Sequence, residues 1–575
     1  MESEVIYKVK FFRLLIYSNL LGGKIMIKFK RALIFILAAA MTTSIVGCSS
    51  SKGTSNSGEK VESGEKPVAN DGPTTPYEPG VEITFGRNVD PNWDLAAKLE
   101  KLTGEKFTDN RWTRLFKEKL GITTNYKLMA GSNEYNQKLK MAMVSGDLPD
   151  IFQVGDTADL KQLMEADAIE EMGPVYEKYA SPLLKSIIEM ETKRVFEPAT
   201  SEGKIYGIPM KMPSTNDYNH LWIREDWLKK LGLERPKTMQ DVYNVATAFA
   251  KKDPDGNGKD DTFGINMDNG FLWNMRGFFW GFNAYPNQWL EESDGKIVRG
   301  IIKPEMKKPL QMLQAMYKEG LIDKEFGVKD NGKAAENYVS GKSGMFYGAH
   351  WDAFNAEKTD ENDPNAKWIV VTLPSESGQA PKIPLRIAAD GFLVVRKGYK
   401  HPEALVKVFN VYVEKLFGED AEFNKYFGEK GVDNIWQMSP VYALDPKIDL
   451  KAHQDIKKAI KEGTADKLTG SAKGFYNNMQ NGMQSFSLMF GPEDTPFAFV
   501  DETYPDNVFW NAYLGAPTPT MVERWSNLDE LIGTTLTSIV QGKTEVDSGF
   551  DKLVEDWLNM GGKQVTEEVN QARGK

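Results

Sequence analysis

The loop Asp253-Pro254-Asp255-Gly256-Asn257-Gly258-Lys259-Asp260-Asp261 holds the chain's densest set of metal-type donors. Asp253, Asp255, Asn257 and Asp261 put oxygen side chains at loop positions 1, 3, 5 and 9, and Lys259 at position 7 offers its carbonyl. Gly258 at position 6 permits the sharp turn that such a loop needs. Hard oxygen donors at this spacing suit Ca²⁺ better than Zn²⁺ or copper. Across 253–264, position 12 is Gly264 where an EF-hand has a bidentate Glu, so the pattern is an incomplete EF-hand. The expected role is structural. The alternative reading is a solvated acidic turn that holds no metal.

Catalytic motifs are thin elsewhere. Residues 327–333 match GxxxxGK, but Ala334 stands where a Ser or Thr would hold Mg²⁺. No G-x-S-x-G elbow occurs, and the four histidines form no HExxH. The 81 acidic residues offer too many carboxylate pairs for a glycosidase pair to be picked out by sequence. The expectation is therefore no enzyme.

Such a loop must hang on a folded scaffold. The chain has 575 residues, and 41% hydrophobic with 11% aromatic excludes wholesale disorder. A net charge of −10 argues against a nucleic-acid partner, which would require a positive field. The single cysteine, Cys48, forbids an intramolecular disulfide framework. Lys28, Lys30 and Arg31 precede an apolar run at 32–40, followed by Ile45-Val46-Gly47-Cys48, so residues 26–47 read as a secretory signal. The segment resembles a bacterial lipobox, which implies diacylglycerol and an N-acyl chain on Cys48, the two anchors stable tethering needs. The expected location is the outer face of the membrane of a Gram-positive-type bacterium. Residues 1–25 fit poorly and are expected to be an annotation artefact, because residues 21–26 can back-translate to a ribosome-binding sequence before Met26. Residues 48–80 are expected to be the lipidated cysteine and a flexible leash, since 49–79 is rich in Ser, Gly, Glu and Pro and reaches on the order of 30 Å.

Folding is expected from Val81. Val81-Glu82-Ile83-Thr84-Phe85 alternates like a strand, 112–120 and 135–144 have helical spacing closed by glycine, and Ile151-Phe152 opens a short buried strand. Alternating strands and helices predict an α/β architecture with largely parallel strands, whose ligands gather at strand carboxyl ends.

The ordered set Ser145-Gly146-Asp147-Leu148-Pro149-Asp150-Ile151, Gly203-Lys204-Ile205-Tyr206-Gly207-Ile208-Pro209, Asp226-Trp227-Leu228 and Leu231-Gly232-Leu233 continues towards the C-terminus. Pro236-Lys237-Thr238, Ser340-Gly341-Lys342-Ser343-Gly344-Met345, His401-Pro402-Glu403-Ala404 and Ile539-Val540-Gln541-Gly542-Lys543 complete it. In this the chain resembles the bacterial extracellular solute-binding proteins, family 1, of ABC importers. The resemblance implies a two-lobed, type II periplasmic-binding-protein fold with hinge crossovers near 212–218 and 384–391. It places 81–213 and about 388–440 in lobe 1, and 214–387 and about 441–575 in lobe 2. It also implies a monomer that captures a carbohydrate, most simply an oligosaccharide, for two transmembrane permease subunits. Trp351 matches a stacking tryptophan of maltodextrin-binding relatives, and Asp156 resembles their sugar-binding acid. Alginate-binding relatives carry a Glu just after the last calcium-loop Asp, where this chain has Thr262.

A sugar needs aromatic platforms beside planar polar partners, so Trp273, Trp280, Arg87, Asn88 and Asp90 join the candidates. Asp156 and Asn88 have a plainer reading as helix N-caps. A surface-anchored polysaccharide-degrading enzyme, and a sugar sensor or adhesin without transport, are the competing readings.

Overall fold

The computed structural model describes residues 71–573 apart from 92–93, 387–388, 429–431 and 433. The signal segment and Cys48 lie outside the described residues. Strand β1 (Val81–Asn88) leads through the helix Arg111–Leu120 to β2 (Ile122–Ala130). Asn110 starts that helix by accepting from the Trp112 and Thr113 N–H groups, and Gly121 ends it in the left-handed region at φ 68°. The helix Ser132–Ser145 then stops at Gly146 before β3 (Ile151–Val154). β1 pairs in parallel with both β2 and β3, so the loops after Asn88 and Val154 leave from one edge.

The chain next adds β4 (Ile208–Lys211), then β5 (His220–Arg224), β6 (Met345–Gly348) and β7 (Trp368–Val371). β8 (Ile383–Leu385) and β9 (Ala389–Val395) follow, with β10 (Val508–Trp510) much later. Sheet one runs β2-β1-β3-β9-β4, and sheet two runs β6-β5-β7. The largely parallel arrangement expected from the sequence is only half right. β9 lies antiparallel to β3 and β4 because it re-enters the first sheet from the second lobe, and sheet two is antiparallel throughout.

Each sheet has its own apolar core. Ile83, Phe85, Trp112, Phe116 and Leu393 are buried around the first, where Trp112 stacks on Tyr412 at 4.6 Å. Trp222, Phe346, Trp227 and Phe249 fill the second, with the Trp222 and Phe346 rings stacked nearly parallel at 5.7 Å. At about 25 cal/mol per Å² of apolar area removed from water, burying side chains of this size contributes strongly to the stability of each core.

The chain passes from the first core to the second between Met212 and Tyr218, and returns between Leu385 and Leu393. Ile448 packs in the first core and Leu450 in the second, so the start of the helix Ile448–Glu462 is a third crossing. Beside the first crossing, buried Glu191 pairs with Lys211 at 2.5 Å and accepts from the Ser214 N–H. At the second, Gly391 has φ 93°, and a Cβ there would collide with the Val154 carbonyl oxygen.

Residues 71–80, just ahead of β1, pack against the first lobe. Tyr77 bonds the Leu120 carbonyl through its N–H and Glu403 through its hydroxyl (2.6 Å), while Lys407 pairs with Asp71 at 2.8 Å. Asn410 also donates to the Pro73 carbonyl at 2.9 Å and Lys407 to the Thr75 carbonyl at 3.1 Å, so this polar stretch is held by side-chain contacts to the helix that starts at Glu403 and not by an apolar core of its own.

Candidate functional site

A cavity of about 250 Å³ lies against the crossings. Met212, Asn216 and Asn219 from the first crossing and Arg386, Ala389 and Asp390 from the second line one side. The second lobe contributes Trp273, Asn274, Arg276 and Asn331, together with Tyr347 through Ala349, Trp351 and Asp352. Ligand pockets typically measure about 300–1,000 Å³, so this cavity falls just below that range.

The segment after β6 sets the geometry of Trp351. Asp352 turns back to accept the Ala349 N–H at 2.8 Å, which fixes the 3-10 turn His350–Asp352. His350 meets the Trp351 ring edge-on at 4.8 Å and packs against Phe497. Trp351 is left 48% exposed, a large indole held in place beside the cavity. Burial pushes the Asp352 carboxyl up to about 6, against the pull of the Ala349 N–H and the Arg276 charge. Burial also lowers His350 to about 3, so that ring is neutral.

Two lining groups carry unmet hydrogen-bonding capacity. Among the described residues the Tyr347 hydroxyl and Asn216 Oδ1 are buried with no partner. Most buried polar groups are paired, and an unpaired one costs about 1–3 kcal/mol. Both are therefore candidates to bond ligand hydroxyls.

The sequence candidates separate. Trp273 (41% exposed) and Trp351 line the cavity, whereas Trp280 does not; it is 2% exposed and belongs to the second core. An aromatic-rich helical segment offered no way to tell its core-facing tryptophan from its cleft-facing one. Arg87 is buried one layer back: it donates to Gln153 at 2.7 Å, and Gln153 donates to the Asp390 carbonyl. The Asn88 N–H bonds the same Gln153 side chain at 3.1 Å. Asp156 caps the helix Thr157–Glu165 by accepting the Ala158 N–H, the plainer of its two readings. Neither it nor Asp90, which is exposed, lines the cavity. Tyr347, Asn216, Arg276 and Arg386 were not anticipated; the only hint for Arg276 was its place three residues after Trp273.

A larger groove of about 1590 Å³ runs past Lys161, Arg194, Trp289, Trp510 and Tyr513. Its cations are already engaged: Lys161 donates to the Pro517 carbonyl at 2.9 Å, and Arg194 pairs with Glu197 at 2.7 Å. The smaller cavity, with exposed tryptophan and orphaned polar atoms, is the better candidate.

In the 253–264 loop the donors fit a hard cation in type. Asn257 Nδ2 bonds Asp255 at 2.6 Å and Asp261 at 3.1 Å, and Asp253 Oδ2 accepts the Gly258 N–H. Gly258 has φ 74°, as a sixth-position glycine should. Asp253 Oδ1 has no partner, and burial together with the neighbouring Asp253 carboxyl raises Asp255. Facing carboxylates of this kind are what a cation would relieve. Yet no three acidic, His or Cys side chains cluster closely enough among the described residues to form a ready metal group.

A sequence profile described as Bacterial extracellular solute-binding protein matches residues 92–415. Lipoprotein LipO of Bacillus subtilis (strain 168) is 26% identical over 451 residues, covering 76% of this chain and 84% of that protein. The polygalacturonan/rhamnogalacturonan-binding protein YtcQ of the same strain is 25% identical over 446 residues, covering 76% and 82%. The solved structure of alginate-binding protein AlgQ2 without calcium ion superposes with a TM-score of 0.58 at 19% identity, over 88% of this chain and 100% of that one. That likeness fixes the fold as the two-lobed solute-binding type.

Proposed function

Because the chain belongs to the bacterial extracellular solute-binding protein family, we propose that it captures a carbohydrate between its lobes and hands it intact to an ABC permease. The observation that carries the reading is the cavity at the crossings, where exposed Trp351 stands beside the unpartnered Tyr347 hydroxyl and Asn216 Oδ1. An indole face covers sugar C–H groups, and orphaned buried polar atoms accept or donate to hydroxyls. The names of YtcQ and AlgQ2 support a glycan as ligand. We extend the reading to a lipid anchor on Cys48, supported by the signal pattern and the name of LipO, with capture on the outer membrane face. Two permease subunits and a monomeric binding protein complete it. Ca²⁺ in the 253–264 loop braces the second lobe in this reading and takes no part in chemistry.

The test is titration calorimetry against a glycan panel. Trp351→Ala is expected to weaken binding of the best ligand by ~1–3 kcal/mol through lost stacking area. A panel in which nothing binds, or a glycan recovered in fragments, sinks the proposal.

A further inference from the structure

The cavity that holds Trp351 of the second lobe also holds a carboxylate anchored in the first. Asp390 lines the cavity beside Ala389, at the start of β9, and is exposed. Buried groups of the first lobe grip it at two points. Its Oδ2 accepts the Tyr442 hydroxyl at 2.5 Å, and its backbone carbonyl accepts from Gln153 Nε2. The Gln153 amide is held in that sense because its Oε1 already accepts from Arg87 at 2.7 Å and from the Asn88 N–H at 3.1 Å. The Arg87 guanidinium carbon also lies 5.2 Å from the Tyr442 ring centroid. Arg87, Gln153 and Tyr442 are all buried. Burial and the Asp390 charge hold Tyr442 ionisation well above the ordinary tyrosine range, so its hydroxyl stays a donor. With Oδ2 and the backbone carbonyl engaged, Oδ1 is the oxygen left to a ligand.

We infer that Asp390 sets the specificity of this cavity: its carboxylate accepts hydrogen bonds from the hydroxyls of an uncharged sugar unit and turns away a uronate, with Tyr442, Gln153 and Arg87 as positioning residues. The inference deepens the carbohydrate reading above and rests on it. An ionised carboxylate only accepts, and hydrogen bonds to it are roughly twice as strong as those between neutral groups. Sugar hydroxyls supply the donors it needs, whereas a uronate would set a second anion beside it. The charged side chains that line the cavity are even in number, Arg276 and Arg386 against Asp352 and Asp390. Asp352, pushed up to about 6, is still largely ionised at neutral pH, and the Arg276 charge acts on it. The arginines therefore do not call for a further anion from the ligand. Holding the carboxylate in place before binding also spares the complex the cost of ordering that side chain.

The experiment uses the full chain at pH 7 in calorimetry, with two probe sets: neutral hexose trimers and oligogalacturonate trimers. The best neutral trimer is expected to bind about ten- to hundredfold tighter than any uronate trimer, the worth of one charge-assisted contact. Asp390→Asn keeps the shape and removes the charge, and is expected to weaken the neutral trimer about tenfold and erase most of the gap. Tyr442→Phe is expected to weaken the neutral trimer in the parent chain and hardly at all in the Asp390→Asn background, because the hydroxyl acts through that carboxylate. Equal losses in both backgrounds would make Tyr442 a fold residue only and overturn its positioning role. A uronate trimer that binds as tightly as the neutral ones overturns the inference and leaves the carbohydrate reading standing. So does an Asp390→Asn protein that keeps both the affinity and the preference of the parent. If neither set binds, the inference falls together with the reading beneath it.

Discussion

At Tyr347 the hydroxyl is buried, and burial drives its ionisation well above the ordinary tyrosine range, so it can act only as a neutral donor and acceptor. Leaving such a group unpaired costs about 1–3 kcal/mol in the ligand-free protein, whereas a made hydrogen bond returns about 0.5–1.5 kcal/mol. Tyr347→Phe should therefore move two measurements in opposite directions. The ligand-free melting temperature is expected to hold or rise, and the affinity for the bound glycan to fall by ~0.5–1.5 kcal/mol. A variant that melts lower and binds unchanged would mean that the hydroxyl serves the fold and not the ligand. Trp351 was legible in the sequence because a resemblance singled it out ahead of twelve other tryptophans. Tyr347 was not, because a strand tyrosine with burial on every side reads as core until its partner count is known.

Among the elements, the 253–264 loop stood out most in the sequence, since its oxygen donors are contiguous and their types and spacing suggest a hard cation. The helix Met239–Lys251 delivers it, begun by a Thr238–Asp241 capping box. The Lys230 ammonium ties it down by donating to the Pro254 carbonyl at 2.8 Å. A metal that binds only the folded loop stabilises by mass action, about 2.7 kcal/mol at a hundred times Kd. In 1 mM Ca²⁺ the second lobe should melt higher than in EDTA, by about 2–4 °C per kcal/mol for a unit of 150–250 residues. Asp255→Asn together with Asp261→Asn should remove that difference. Equal melting in both buffers would leave the loop as a solvated acidic turn. Strand pairing was less legible than this loop. The first three strands are joined by local helices and so declare a parallel sheet, but the direction of β9 depends on where the chain has been during the preceding 180 or so residues. Docking of residues 71–80 escaped notice for a related reason: the helix that receives Tyr77 and Asp71 begins at Glu403, more than three hundred positions away.

For the whole molecule, closure of two lobes on three crossings can be driven only by contacts the ligand makes better in the closed state. Taking an equilibrium from 1:99 to 99:1 requires about 5.5 kcal/mol of such preference. Trp351 lies on the second lobe, while the crossings supply Asn216, Arg386 and Asp390, so a ligand in this cavity would touch both the second lobe and the segments that join it to the first. Small-angle scattering should show a smaller radius of gyration once the full chain is saturated with a ligand that calorimetry has identified. Trp351→Ala gives the sharper test. From a 99:1 closed population, losing about 2.7 kcal/mol of closed-state preference returns the lobes to an even mixture, which sits at the upper end of the expected stacking loss. The variant at saturation should then scatter as a mixture of the two limiting curves, with no amount of added ligand restoring the fully compact one. If the variant merely needs more ligand and then compacts completely, Trp351 binds both states alike and does not drive closure. If the parent chain binds without any change in scattering, the cavity works on lobes that do not move, and the hinge reading of the crossings fails with it.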